Sequence, residues 1–115
     1  MKVIYVAGKY LGKSNWETYL NIHKARVAAE KLWNEGWAVI CPHSNTAFFD
    51  GSGVEDKNNP NGNWAMWLNG DLEILARCDA IYVLDNWEES KGATMELYEA
   101  RRLGLQVIFQ VKGIV

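Results

Sequence analysis

Glu96 is the residue whose surroundings suggest chemistry most clearly. It follows Ser-Lys-Gly-Ala-Thr-Met, about one turn into a predicted helix, and Leu97 and Ala100 mark the inward side of that helix. We therefore expect its carboxylate near a crevice instead of on the solvated face. Asp71 stands just before the apolar stripe of another predicted helix. Spacing alone leaves a second interpretation open for both acids, as ordinary helix-surface residues.

A pair of carboxylates in unlike surroundings is what glycoside chemistry requires. One acid attacks or stabilises the anomeric carbon, and the other binds a sugar hydroxyl or manages the proton of the leaving group. Both tasks favour pKa values that the surroundings have separated. Asp71 and Glu96 are therefore the candidate catalytic residues.

Ser90 and Gly92 come at the predicted start of the Glu96 helix, where backbone amides can hold a phosphate. Gly8 ends the first predicted strand and is followed by Lys9 and Tyr10, without the spacing of a dinucleotide fingerprint or a P-loop. Gly8 is equally compatible with close approach of a ligand and with a tight turn. The sequence thus predicts an anion site beside Glu96.

Other polar and aromatic side chains are candidate substrate contacts. His43 and Asn45 follow the second predicted strand and could hydrogen-bond a base or a sugar. Stacking on a base is open to Trp64, Trp67 or Trp87, although the 6 tryptophans of so short a chain more often fill a core or an interface. The remaining candidates are Tyr5, on the first strand, and Asp85, after the third. Cys41 and His43 lack a second ligand pair, so we expect no metal and no cofactor.

The alternation of patterns predicts an α/β fold. The predicted strands cover residues 2–7, 37–41, 79–84 and 106–111; the helices cover 14–36, 64–77 and 92–103; a polar loop covers 42–63. This order favours a single domain over residues 1–115, a flavodoxin-like or Rossmann-like three-layer sandwich with a parallel sheet of four strands, or of five. Ligands of such sheets bind at the carboxyl ends of the strands, where the candidate residues fall.

The composition limits the kinds of binding partner and the cellular setting that we expect. The net charge is -2 and there is no basic stripe, so a nucleic-acid polymer is not expected, whereas a small anion is. The first apolar run is too short for a signal peptide or a membrane span, and the 2 cysteines are isolated, which favours a reducing cytoplasmic setting. Exposed aromatic residues favour a homodimer or a larger homo-oligomer.

Three linked motifs resemble the nucleoside 2-deoxyribosyltransferase superfamily, which includes nucleoside 5'-monophosphate N-glycosidases. They are Ile-Tyr-Val-Ala-Gly at 4–8, Gly-Asp-Leu at 70–72 leading to Cys-Asp-Ala at 78–80, and Ser-Lys-Gly-Ala-Thr-Met-Glu-Leu at 90–97 with Ala100. The segment Cys-Pro-His-Ser-Asn-Thr at 41–46, with Phe48, Phe49 and Asp50, is similar to a compact subgroup of short phage and bacterial members.

The resemblance implies a ribosyl-like ester on Glu96, with Asp71 near the sugar hydroxyl and the leaving base and without a metal. It also implies a 5'-phosphate near Ser90 and Gly92. Family transferases tend to carry an acidic residue at the position of Ser90, which favours a nucleotide substrate and hydrolysis here. Members often complete the pocket with C-terminal residues of a neighbouring subunit. Because this chain stops at Val115, just after its fourth predicted strand, we do not carry that contribution over.

Two alternatives from other classes remain. One is a nucleotide-binding sensor or sequestering protein that keeps the pocket without useful turnover, and a tight ligand without a product would indicate it. The other is a flavodoxin-like interaction domain in which both acids are solvated and their carboxylates lie more than about 10 Å apart, since paired glycosidase acids lie closer than that.

Overall fold

The computed structural model describes residues 1–45 and 62–112. The strands are β1 (Val3–Ala7), β2 (Ala38–Ile40), β3 (Ala80–Val83) and β4 (Gln106–Phe109). The helices are α1 (Asn15–Asn34), α2 (Pro42–Asn45), α3 (Gly62–Leu75) and α4 (Lys91–Arg102), with a 3-10 turn at Trp87–Glu89. None of the helices in these two ranges is both long enough and apolar enough to cross a bilayer.

The strands form one parallel sheet in the order β2-β1-β3-β4, so β1 and β3 are central. Tyr5 on β1 lies level with Ile40 on one side and with Ile81 on the other. The chain leaves β1 for one edge and later returns to its other side, which places the topological switch between β1 and β3. The predicted three-layer fold with a four-stranded parallel sheet is confirmed.

Each central strand is buried on both faces, which explains the nearly continuous apolar runs in the sequence. Ile4 and Val6 face α1, where they pack with alanines of that helix and with Leu32. Tyr5 and Ala7 point to the other face, among residues of α3 and α4. Tyr5 therefore occupies the layer that also contains the two candidate acids.

Side-chain caps fix the starts of the two long βα units. Ser14 Oγ accepts a hydrogen bond from the Glu17 amide (3.1 Å), and Ser90 Oγ accepts one from the Ala93 amide (3.0 Å). The Glu17 carboxylate lies 3.5 Å from Nζ of Lys9, in the turn after β1. Gly104 follows α4 with φ 76°, the left-handed conformation that commonly ends a helix.

The predicted loop over 42–63 was wrong at both ends. Residues 42–45 form the short helix α2, since proline is well tolerated in a first helical turn, and α3 already begins at Gly62. Strands β2 and β4 are shorter than predicted, ending at Ile40 and Phe109. Residues 46–61, including Phe48, Phe49 and Asp50, lie outside the described residues.

Candidate active site

A hydrogen bond between Tyr5 and Glu96 joins the central strand to α4. Tyr5 is fully buried and Glu96 is 7% exposed. The Tyr5 hydroxyl donates to Oε2 of Glu96. Glu96 therefore points inward between α4 and the sheet, as its position beside Leu97 and Ala100 predicted. The interpretation of Glu96 as a solvated helix residue was wrong.

Burial dominates the electrostatics of this pair. It raises the pKa of Glu96 from 4.5 to about 8; the charge of Asp71 adds to that increase, whereas the hydrogen bond from Tyr5 opposes it. Burial and the charges of Glu96 and Asp71 also hold the pKa of Tyr5 far above its ordinary value. Tyr5 is consequently a permanent donor, and Glu96 is a carboxyl group that can change charge near neutral pH.

Asp71 completes a cluster of three groups. It lies half-buried on α3, which packs against α4, and its charge acts on both Tyr5 and Glu96. Burial raises the pKa of Asp71 to about 6. The two acids thus have different pKa values, the condition under which one carboxyl group can exchange a proton while the other acts as a base or nucleophile.

Ser90 and Gly92 lie at the start of α4, about one turn before Glu96. Ser90 is the N-cap, and its backbone carbonyl also accepts a hydrogen bond from the Thr94 hydroxyl (2.8 Å). A Cβ built on Gly92 would meet nothing closer than Ser90 Oγ at 3.8 Å. Packing within the described residues therefore gives no reason for glycine at this position, because a Cβ there would have room.

The turn after β1 is fixed by close packing and by hydrogen bonds. A Cβ on Gly8 would lie 2.5–2.9 Å from three side-chain carbons of Leu84, so only glycine fits against the end of β3. The Lys9 amide donates to Oδ1 of Asn86 (3.0 Å), and the Lys9 carbonyl lies 3.0 Å from Nε2 of His43. The Tyr10 ring lies 5.9 Å from the His43 ring. Gly8, Lys9, Tyr10 and His43 therefore form one group at the carboxyl edge.

Asp85 and Trp87 have structural partners in the described chain. Asp85 forms an ion pair with Lys24 of α1, and its backbone amide donates a hydrogen bond to Oε1 of Gln110 (3.0 Å). The Trp87 ring packs against the core beneath α4 and lies 6.2 Å from the Phe109 ring. Their predicted substrate contacts stay predictions, as do those of Asn45 and Trp64, whose side chains lie outside the described part.

Two residues at this edge were missed by sequence reasoning. Asn86 ties the turn after β1 to the turn before α4, and Lys24 anchors Asp85. The signal available for Asn86 was its place directly after the third strand, at the switch point. Lys24 carried no signal, because a lysine on a helix normally faces water.

No three His, Cys, Asp or Glu side chains in residues 1–45 and 62–112 lie close enough to share a metal ion. A shallow depression lined by Lys2, Glu35, Gly36 and Trp37 lies at the opposite, amino-terminal edge of the sheet. This depression lies away from the two acids. The candidate active site is the cluster of Tyr5, Asp71 and Glu96, because these groups interact with one another in the buried layer between the sheet and α4.

The parallel sheet with its switch between β1 and β3 places the chain among folds like that of a 2-deoxyribosyltransferase from the psychrotolerant bacterium Bacillus psychrosaccharolyticus. The two superpose with a TM-score of 0.62 at 21% identity, over 98% of this chain and 76% of that one. Residues 2–109 match the family described as "Domain of unknown function (DUF4406)", and the chain belongs to this family. No curated protein matches its sequence.

Proposed function

We propose that this protein cleaves the N-glycosidic bond of a nucleotide or nucleoside, with Glu96 as the nucleophile. The observation that carries the proposal is the buried Glu96 carboxyl group. It accepts a hydrogen bond from the Tyr5 hydroxyl, and the charge of Asp71 raises its pKa. Two carboxyl groups with different pKa values are the equipment of a retaining glycosidase. The similarity in fold to a 2-deoxyribosyltransferase agrees with this chemistry.

In the first step, an oxygen of ionised Glu96 forms a bond to the anomeric carbon while the bond from that carbon to the base nitrogen breaks. The electron pair leaves with the base, and the Asp71 carboxyl supplies the proton that the base needs. In the second step, water attacks the same carbon and the sugar–Glu96 bond breaks. Asp71 takes the proton of that water, which restores both acids.

The first step needs Glu96 ionised and Asp71 protonated, which is the less populated arrangement. With a pKa of about 8, roughly a tenth of Glu96 is ionised at pH 7. Tyr5 increases the ionised fraction of Glu96, because its hydroxyl donates a hydrogen bond to the carboxylate and does not itself ionise near neutral pH. Positive charge that develops on the sugar in the transition state would stabilise ionised Glu96 further.

The start of α4 supports a nucleotide over a nucleoside. The amides after Ser90 and the open space at Gly92 suit a 5'-phosphate, and Ser90 adds no negative charge. We therefore expect hydrolysis of a nucleoside 5'-monophosphate in preference to base transfer, in a cytoplasmic homo-oligomer. Trp16 and Trp33 are exposed on α1 and are available to pack against a second copy.

One observation favours a second candidate function, nucleotide binding without useful turnover. Glu96 is mostly protonated at neutral pH, and a neutral carboxyl can hold a sugar hydroxyl without attacking the anomeric carbon. The proposed function is therefore tested by chromatographic detection of free base from nucleosides, their 5'-monophosphates and NAD. We expect base from the native protein and none from Glu96→Ala. No base from any substrate, with or without an added acceptor base, would overturn the glycosidase and favour the binding protein.

A further inference from the structure

The imidazole of His43 is fixed through one nitrogen. His43 lies in α2, directly after β2, and is 5% exposed. Its Nε2 lies 3.0 Å from the Lys9 carbonyl oxygen, which can only accept. Nε2 therefore carries the proton, and the neutral ring presents Nδ1 as an acceptor. Burial lowers the pKa of His43, against a smaller opposing effect of the Lys9 and Gly8 carbonyls, and so favours this neutral form.

The second nitrogen, Nδ1, is buried, and no donor within the described residues lies at hydrogen-bond distance from it. Folded proteins pair the great majority of their buried polar atoms, so each unpaired one needs an explanation, of which a functional role is one. The Tyr10 ring beside His43 offers an aromatic face to the imidazole, 5.9 Å between centroids and tilted by 57°. His43 thus has a fixed position and one unused acceptor.

The position of His43 relates it to the candidate active site. The end of β2, Ile40, lies level with Tyr5, so His43 lies further toward the carboxyl edge of the sheet. The same Lys9 that holds the imidazole through its carbonyl donates its amide to Asn86. Asn86 precedes the 3-10 turn that leads into Ser90 and α4. The imidazole is therefore anchored to the turns that border the switch point.

We propose that Nδ1 of His43 accepts a hydrogen bond from an N–H or O–H group of the substrate and so determines which ligands bind. The inference rests on the proposed function, because it takes the ligand to be a nucleoside or a nucleotide. A site with a buried acceptor rejects analogues that lack the matching donor, since their binding leaves the acceptor unpaired. Such a donor can come from an amino or imino group of the base or from a ribose hydroxyl.

Nitrogen NMR of the histidine rings tests the inference directly. The chain has 2 histidines, and the exposed His23 of α1 provides an internal reference. In the free protein we expect His43 with Nε2 protonated and Nδ1 bare. Addition of the four ribonucleoside 5'-monophosphates should move the Nδ1 resonance toward the protonated range for at least one of them. A proton on Nδ1 in the free protein, or no movement with any ligand, would overturn the inference.

Analogues of the ligand that moves Nδ1 distinguish the two sources of the donor. If the base provides it, the response disappears when the amino or imino group is removed, as in purine riboside 5'-monophosphate in place of the adenine nucleotide. If the sugar provides it, the 2'-deoxy or 3'-deoxy nucleotide fails to move Nδ1. If the Nδ1 resonance still moves after each of these base and sugar groups has been removed in turn, the ligand forms no hydrogen bond to Nδ1 and the inference is contradicted.

Two substitutions separate a role in binding from a role in folding. The amide nitrogen of His43→Gln can replace Nε2 and keep the bond to Lys9, but it leaves no acceptor at the position of Nδ1. His43→Asn places an amide oxygen near Nδ1 and loses the bond to Lys9. We expect the Gln variant to keep its Tm yet bind the nucleotide about tenfold or more weakly. The Asn variant should have a lower Tm than the native protein and should bind the nucleotide more tightly than the Gln variant does.

The opposite order, with affinity kept in the Gln variant and lost in the Asn variant, would show a purely structural histidine. His23→Gln is the matched control and should leave affinity unchanged. Base release by the native protein without any movement of Nδ1 would overturn this inference and leave the proposed function standing. Movement of Nδ1 and weakened binding in the Gln variant, without base release, would support this inference and overturn the glycosidase.

Discussion

The Tyr5 hydroxyl donates a hydrogen bond to Oε2 of Glu96, across the contact between the central strand β1 and α4. Burial and the charge of Asp71 disfavour ionisation of Glu96, and the hydrogen bond from Tyr5 opposes them. Tyr5 stays protonated because burial raises its own pKa far above the ordinary value. The ionisation of Glu96 therefore depends on Tyr5.

Tyr5→Phe removes this donor while keeping the ring. We expect the pKa of Glu96 to rise further, because the hydrogen bond that lowers it is lost. At pH 7 kcat/KM should fall by about tenfold or more, with the limb that reports Glu96 moved to higher pH. Tyr82→Phe is the matched control, because Tyr82 is buried on the opposite face of the sheet, against α1. An unchanged pH profile in Tyr5→Phe would contradict this role.

The two acids predict the pH dependence of kcat/KM. The proposed mechanism requires ionised Glu96, whose pKa is about 8, and protonated Asp71, whose pKa is about 6. The fraction of protein in that arrangement rises up to about pH 6, is level to about pH 8 and then falls. A profile measured from pH 4.5 to 9.5 checks this shape.

Asp71→Asn is expected to simplify that profile. The residual kcat/KM should rise through a single pKa and show no fall on the alkaline side. That pKa should lie below about 8, because the charge of Asp71, which raises the pKa of Glu96, is gone. A fall above pH 8 that persists in Asp71→Asn would exclude Asp71 as the proton donor.

Glu96 should also make the protein less stable as pH rises. Its pKa is about 8 in the folded chain against an ordinary 4.5, so between these values the folded state binds more protons than the unfolded state. The free energy of unfolding therefore falls from about pH 4.5 to 8, by at most about 1.4 kcal/mol per pH unit. Asp71 acts in the same direction between 3.8 and about 6.

Glu96→Gln should remove most of this slope and leave the variant more stable than the native protein at pH 8. The side-chain oxygen of the glutamine can still accept a hydrogen bond from the Tyr5 hydroxyl. Urea unfolding at pH 5 and pH 8 measures the difference, with Glu73→Gln, on the exposed side of α3, as the control. Parallel pH dependence in the native protein and Glu96→Gln would show that Glu96 is not buried as the structure places it.

Ser90→Asp tests the phosphate position. Aspartate is as good an N-cap as serine, so we expect α4 to be retained, whereas Ser90→Ala should cost about 1 kcal/mol of stability. The new carboxylate would repel a 5'-phosphate and leave an uncharged nucleoside unaffected. KM should rise for the 5'-monophosphate alone in Ser90→Asp. Equal changes in KM for nucleotide and nucleoside would place the phosphate elsewhere.

The sequence was sufficient for those features that depend on local pattern. Alternation of apolar runs and helical spacing predicted the parallel sheet, and the neighbours Leu97 and Ala100 predicted that Glu96 points inward. The hydrogen bond from Tyr5 could not be predicted, since it joins residues 91 positions apart through tertiary packing. The same holds for the bond from Lys9 to Asn86 and for the closeness of Gly8 to Leu84.

The most direct test of the central claim is to trap the sugar on Glu96. A 2-deoxy-2-fluoro nucleotide slows both steps, because fluorine at C2 disfavours positive charge at the neighbouring anomeric carbon. With a good leaving base, the first step should still occur and the sugar–enzyme ester should accumulate. Peptide mass spectrometry should then find the fluorosugar phosphate on Glu96 of the native protein and none on Glu96→Gln. Attachment to another residue, or release of base without an adduct in either protein, would contradict Glu96 as the nucleophile.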